Sequence, residues 1–317
     1  MFVLDSHCDT PLQILDSRDL AIDNRGAHVD FPKLKKGKVD GAFFALFIPA
    51  LYDDDPDKAF CHAKKLLNVT RASVAANSSS AAFAVSYDQA FENKNRSIFS
   101  VFLGLENGSP IGHDLERLRW FYENGVRYVT LCHSGNNQIC DSCAPIQKRW
   151  GGLSPFGREL VAEMNRIGML IDVSHISDDS FYDVLKYSDK PVVATHSCCR
   201  ALAGHPRNMT DDMIQALANA GGVMQINFYP LFLDNDFSFT GKRPSYHVIV
   251  DHIDHAVSLA GIDHVGIGSD FDGIEVTPDG LDDISMMPLI FEEMRKRGYS
   301  ESDIEKVAGG NFLRVLG

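Results

Sequence analysis

The sequence predicts an α/β protein folded as a (β/α)8 TIM-type barrel in a single domain. Two observations carry this. Eight short runs of β-branched, aromatic and other apolar residues recur along the chain, and most are followed by a segment with helical spacing. Runs such as VFLGL and MLIDV are apolar throughout, as strands of a parallel sheet covered on both faces require. No internal repeat, low-complexity tract or Pro/Ser linker divides residues 1–317.

The eight strands are expected at 2–7, 41–48, 98–106, 127–133, 169–175, 191–196, 222–228 and 264–270. The 8–40 stretch carries no long helical pattern, so the first β-to-α connection is irregular. Helices are expected over 57–76, 114–124, 155–167, 178–187, 211–220 and 246–260, with two more, 285–297 and 302–316, closing the chain. Their starts are marked by capping chemistry: Ser154 precedes Pro155 at a first helical position, and Thr210 precedes Asp211 and Asp212. A ninth short run, 81–86, is expected to lie outside the barrel.

The chain has 317 residues, enough to bury roughly three-quarters of its unfolded surface without stapling. Its composition, 44% hydrophobic and 23% charged, is that of an ordinary globular protein. A net charge of −13 argues against nucleic acid as a partner, because that affinity comes from Lys and Arg on phosphates. It argues equally against an anionic membrane surface, and no stretch approaches the ~20 apolar residues of a spanning helix. Seven cysteines, odd in number and sparse, together with a start that lacks a basic leader, lead us to expect a cytoplasmic protein. Five N-x-S/T sequons, at Asn68, Asn77, Asn95, Asn107 and Asn208, are then chance matches.

The chemistry is expected where polar residues end apolar runs. His7 and Asp9 form a His-x-Asp whose i, i+2 spacing turns both to one face. Glu106, His133, His175, His196 and Asp270 close the third, fourth, fifth, sixth and eighth strands. In a barrel all would sit at the C-terminal mouth, where barrel enzymes carry their active sites. Three histidines and two or three carboxylates offer N and O ligands suited to Zn²⁺, with Mn²⁺ or Fe²⁺ as other divalent metals. Five ligands exceed what a single catalytic zinc takes from protein and fit two metals ~3.5–4 Å apart, bridged by a carboxylate and water. The implied reaction is hydrolysis by a metal-bridging hydroxide.

Competing motifs fail. Gly266-Ile-Gly268 is followed by Phe271 where a dinucleotide fingerprint needs its third glycine. Neither a G-x-S-x-G elbow nor a phosphate loop occurs. Cys140 and Cys143 have C-x-x-C spacing without a second pair, so a loop coincidence is expected. Cys198 and Cys199 follow His196 and are expected near the mouth, while Cys8 alternates away from His7 and is expected to be buried.

The chain resembles the renal (membrane) dipeptidase family of binuclear zinc dipeptidases nearly end to end. The matching blocks include DSHCDTP, GLENG, LCHSGNN, WGGLSPFGRELVAEMNRIGMLIDVSH, ATHS, HPRNMTDDM and HVGIGSDFDG, and a C-terminal block beginning GLDDISMMP. The resemblance implies a (β/α)8 barrel with two Zn²⁺ per chain. By position, His7, Asp9 and Glu106 would serve one zinc, and Glu106, His175 and His196 the other, with Glu106 bridging. His133 would stabilise the oxyanion, Arg207 would hold substrate, and Asp270 would carry the proton from water to the leaving amine. Small dipeptides are the implied substrates, with a D-residue tolerated at the second position, and a homodimer is favoured. The animal membrane enzymes are secreted and lipid-anchored. This chain shows neither leader nor hydrophobic tail, so it resembles a bacterial cytoplasmic-type member. The 136–150 stretch is expected to shape the pocket. The alternative is another binuclear-metal amidohydrolase acting on cyclic amides or lactones. Those enzymes start with His-x-His, where this chain has His7-x-Asp9. A catalytically dead binding protein is disfavoured, because buried charges without a metal are expensive to retain.

Overall fold

In the computed structural model, which describes residues 1–317, eight parallel strands run in the order β1-β2-β4-β5-β6-β7-β8-β9. With one further strand off that path, the nine strands are β1 (Leu4–Cys8), β2 (Gly41–Phe47), β3 (Ala81–Phe83), β4 (Phe99–Glu106), β5 (Val126–Thr130), β6 (Leu170–Asp172), β7 (Val193–Ser197), β8 (Val223–Ile226) and β9 (Val265–Ile267). The strand β3 lies off the barrel path. It pairs with β4 through Ala81–Phe99 and Phe83–Val101, below the point where β5 takes over that edge at Leu103–Val126. The barrel nearly closes between β1 and β9. A parallel bridge joins Cys8 to Phe271, and the Asp9 N–H donates to the Phe271 carbonyl at 2.9 Å.

A buried carboxylate helps make that closure. Asp5 accepts the Ser269 N–H at 2.8 Å and the Ser269 hydroxyl at 2.5 Å. Burial pushes Asp5 up to about 6, against those two hydrogen bonds. The strands that line the barrel are buried on both faces, which is why their sequences read as unbroken apolar runs.

Helices pack outside, and several begin where the capping residues place them. Ser154, Ser177 and Thr210 accept from the N–H three residues on, opening Pro155–Ile167, Asp178–Tyr187 and Asp211–Asn219. The 8–40 connection holds only two short helices, Thr10–Leu15 and Phe31–Lys36. It is tied to the other end of the chain by Arg18, which donates to Asp272 at 2.6 Å.

Two helical readings differ from expectation. Tyr87–Asn95 is a helix that the sequence pattern did not flag, because its segment is mostly polar and short; Ser86 caps it, and only Ala90 and Asn93 are buried. The last expected helix is broken into Glu301–Glu305, a π turn over Lys306–Gly310, and Asn311–Leu316. A Cβ on Gly309 would lie 2.7 Å from the Phe2 carbonyl oxygen, so the break lets the chain pass close under β1. No helix is long and apolar enough to cross a membrane.

Candidate active site

The side chains singled out by the sequence converge at the C-terminal mouth. His7 lies in β1 and is fully buried, and Glu106 is the last residue of β4. His196 sits inside β7. The other three depart from the expected placement. His133, His175 and Asp270 were expected to end strands, but β5, β6 and β9 stop three residues earlier, at Thr130, Asp172 and Ile267. His175 (φ 69°) and Asp270 (φ 63°) take left-handed backbone conformations, which end the extended chain and turn these side chains inward. Such a conformation costs a non-glycine residue roughly 1–2 kcal/mol, and its recurrence here is typical of functional sites.

Glu106 stands at the centre. Its Oε1 lies 3.1 Å from His175 Nε2 and 3.5 Å from His196 Nε2, while its Oε2 lies 3.4 Å from His7 Nε2. Asp9 Oδ2 is 3.6 Å from the same His7 nitrogen, and the His175 and His196 Nε2 atoms face one another at 2.8 Å. The donor atoms of His7, Asp9 and Glu106 form one compact set, those of Glu106, His133 and His175 another, and those of His7, His196 and Asp270 a third. His7 Nε2 and Asp9 Oδ1 are buried without any hydrogen-bond partner. Polar atoms left in that condition cost about 1–3 kcal/mol each, and a divalent cation among them would satisfy both. The residues therefore fit a metal centre, with the hard oxygen and imidazole donors that such ions take.

The electrostatics divide the ligands. Burial, aided by Arg207, holds His175 well below its ordinary range, and burial, aided by His7, does the same for His196, so both rings are neutral. Burial also opposes a charge on His7, but Glu106 and Asp9 together outweigh it and hold that ring well above its usual value. Burial, then Glu106, raises Asp9 to about 6. Burial raises Asp270 to about 6 as well, with Asn227 donating to its Oδ2 at 2.8 Å. His133 is pushed down to about 4 by burial and then by Arg207. Arg207 itself donates to the His196 carbonyl at 2.8 Å, and its Nε is buried with no partner.

The 136–150 stretch folds around Asp141, whose carboxylate accepts backbone N–H groups from Arg149, Trp150, Gly151 and Gly152. Next to it, the Ser142 hydroxyl reaches the His133 carbonyl at 2.5 Å and the His175 carbonyl at 3.2 Å. Cys140 is buried there, Cys143 is half-buried, and all seven cysteines are free. Cys198 and Cys199 follow His196 near the mouth but do not line it: both are fully buried, their thiols donating to the Asn227 and His252 carbonyls. Cys8 is buried as expected.

Several residues that sequence reasoning passed over hold the site together. Asp172 accepts from the hydroxyls of Thr130 and Thr195 at 2.6 Å each, and Thr195 in turn contacts His196 Nδ1 at 2.9 Å. Tyr128 contacts His7 Nδ1 at 2.8 Å. Asp172 interrupts an apolar run, a signal that could have found it; Tyr128 reads as one more core aromatic.

The family model for membrane dipeptidase, peptidase family M19, matches residues 1–317. The chain is 34% identical over 340 residues to the dipeptidase verJ of Clonostachys rogersoniana, covering 99% of this chain and 83% of that one. Among solved structures, it superposes on a metallopeptidase from Rhodobacter sphaeroides bound to a phosphinate mimic of L-Ala-D-Ala, with a TM-score of 0.89 and 28% identity. That match covers 100% of this chain and 98% of the other. A probable dipeptidase, PvdM, of Pseudomonas aeruginosa gives a TM-score of 0.92 at 26% identity, covering 100% and 95%.

Proposed function

The chain belongs to the membrane dipeptidase family, peptidase family M19, which makes it a metal-dependent dipeptidase, and from that premise we propose a two-zinc enzyme that cleaves dipeptides with both termini free. His7, Asp9 and Glu106 would hold one zinc, and Glu106, His175 and His196 the other, with Glu106 shared between them. The metals, when bound, lower the pKa of the attacking water and polarise the scissile carbonyl.

The observation that carries this reading is Arg207, a buried guanidinium with an unpartnered Nε beside the ligand cluster. A buried cation of this kind calls for an anion, and its planar fork suits a carboxylate. The C-terminal carboxylate of a dipeptide supplies one. His133, neutral at working pH because burial and Arg207 hold it near 4, donates a hydrogen bond to the oxygen that gains charge as the carbonyl becomes tetrahedral. Asp270, raised to about 6 by burial, takes a proton from the attacking water and gives it to the departing amine. Asp270 and Glu106 are the acidic groups that would receive the substrate's free ammonium.

Two charged ends held a dipeptide's length apart act as a ruler. The second side chain is then the least constrained part of the substrate, and a D-residue is accepted there but not first. The L-Ala-D-Ala mimic bound to the Rhodobacter sphaeroides metallopeptidase supports this handedness. Cytoplasmic residence belongs to the same reading and rests on the sparse, odd set of cysteines.

The test compares kcat/KM for L-Ala-L-Ala, L-Ala-D-Ala, D-Ala-L-Ala and N-acetyl-L-Ala-L-Ala on zinc-loaded enzyme. The first two should be cleaved and the last two should be poor. Efficient cleavage of the acetylated compound would remove amine recognition and leave a general amidohydrolase.

A further inference from the structure

His7 and His196 are backed by different groups. His196 Nδ1 meets the Thr195 hydroxyl at 2.9 Å, and that hydroxyl gives its own proton to Asp172 Oδ2 at 2.6 Å. Thr195 can then only accept from His196, so Nδ1 carries the ring proton and Nε2 presents its lone pair to the cluster. His7 has no carboxylate behind it. Its Nδ1 meets the phenol of Tyr128 at 2.8 Å, and both residues are fully buried.

The phenol stands there because the sequence leaves it room. Gly104 on β4 is the register partner of Tyr128 on β5. A Cβ at Gly104 would fall 2.2 Å from Tyr128 Cζ and 2.5 Å from its hydroxyl oxygen. Phe43 packs against the ring with centroids 5.1 Å apart, and the His7 ring lies stacked at 24° to it. The Tyr128 hydroxyl meets His7 alone, so its oxygen accepts whenever Nδ1 carries a ring proton, as a ring ligating through Nε2 requires.

We propose that Tyr128 is a positioning residue that holds the His7 ring and accepts its Nδ1–H when Nε2 ligates, and thereby sets metal affinity on the His7–Asp9 side of the site, leaving the His175–His196 side to Thr195 and Asp172. This rests on the two-metal reading above. With Nδ1–H donating to the phenol oxygen, His7 Nε2 offers its lone pair between Asp9 Oδ2 at 3.6 Å and Glu106 Oε2 at 3.4 Å. Without the phenol, the Nδ1–H that a ring ligating through Nε2 must carry is a buried donor with no acceptor, and ligation through Nε2 is weakened. Groups that orient a ligating imidazole in this way typically carry 10–100-fold in metal affinity.

The experiment is Tyr128→Phe, which keeps the ring and removes one oxygen. Zinc affinities are read by competition with a chromophoric chelator and stoichiometry by elemental analysis after dialysis, alongside wild type and Thr195→Val. The variant is expected to bind one zinc as wild type does and the second ~10–100-fold more weakly, while the metal-free protein melts within ~1 °C of wild type. Thr195→Val is expected to weaken a zinc in the other half, so the double variant loses affinity at both. Tyr128→Phe with two wild-type affinities overturns the positioning role and leaves the two-metal reading intact. Wild type that binds fewer than two zinc ions overturns that reading, and this proposal with it.

Discussion

Arg207 donates through Nη2 to the carbonyl of His196 at 2.8 Å, while its Nε is buried without a partner. One edge of the guanidinium is thus spent on fixing the residue against β7, and the rest is left for an anion. Phe232 lies 5.5 Å beneath the cation, which restricts it further. Lysine keeps the charge but not the fork. Arg207→Lys is expected mainly to raise KM for dipeptides. His133→Ala is expected mainly to lower kcat, by about 10²–10³ if it is the chief oxyanion donor. Steady-state kinetics showing the reverse split would mean that the two roles are exchanged.

Glu106 lies against three imidazoles, those of His175, His7 and His196, at 3.1, 3.4 and 3.5 Å. An amide is a poor bridge between dications, so Glu106→Gln should lower metal content on both sides at once, from about two per chain to well below one. Retention of one tightly held metal by elemental analysis would show that Glu106 serves a single ion.

Gly273 crowds the same cluster from the loop after β9. A Cβ there would lie 2.1 Å from Asp9 Oδ2 and 2.9 Å from Asp270 Oδ1. Both are ends of side chains that can swing aside, so Gly273→Ala should fold. It should still displace Asp9 from His7 and weaken metal binding by about tenfold or more. A chelator titration matching wild type would show that Asp9 is not needed where it stands.

Away from the site, Glu163 ties two outer helices together. It accepts from Arg166 Nε and Arg119 Nε, each at 2.6 Å, joining Pro155–Ile167 to Leu115–Glu123. Arg166, then Arg119, pull its carboxyl from 4.5 down to about 2. The folded value lies below the unfolded one, so the stabilisation is fully present above pH ~4.5 and is lost as pH falls toward ~2. The shift corresponds to roughly 3 kcal/mol unscreened, and exposure of both arginines reduces this to about 1 kcal/mol. Glu163→Gln should lower the melting temperature by about 1–2 °C at pH 7, with the gap narrowing between pH 5 and pH 3. A gap that stays constant over that range would assign the loss to packing instead.

Much of the barrel was legible because strand and helix periodicities are local properties. Pro155–Ile167 and Asp178–Tyr187 fall where their caps and spacing place them, and β2 and β4 lie within one residue of their expected bounds. Their apolar runs have no polar alternation to mislead. The site was legible as a list: His7, Glu106 and His196 each interrupt or end an apolar run, and that contrast survives without coordinates. Tyr87–Asn95 was not legible, since a polar nine-residue helix that buries two side chains leaves little apolar pattern to read.

What the tertiary structure decided is which atoms meet. Sequence patterning could not show that His175 and Asp270 leave their strands and turn inward through left-handed backbone. Beside those turns, Asp172 and Asp5 accept the backbone N–H groups of Thr195 and Ser269 on neighbouring segments, at 2.9 and 2.8 Å, contacts that no local pattern encodes. Nor could it show that Tyr128 stands behind His7 across 121 residues of sequence, or that Gly104 makes room for it. Periodicity tells each residue which face it occupies. Closure of the barrel alone brings the faces of β1, β4 and β7 within bonding distance, and only there do the unpaired atoms of His7 and Asp9 gain the carboxylate and imidazole neighbours that make a metal centre.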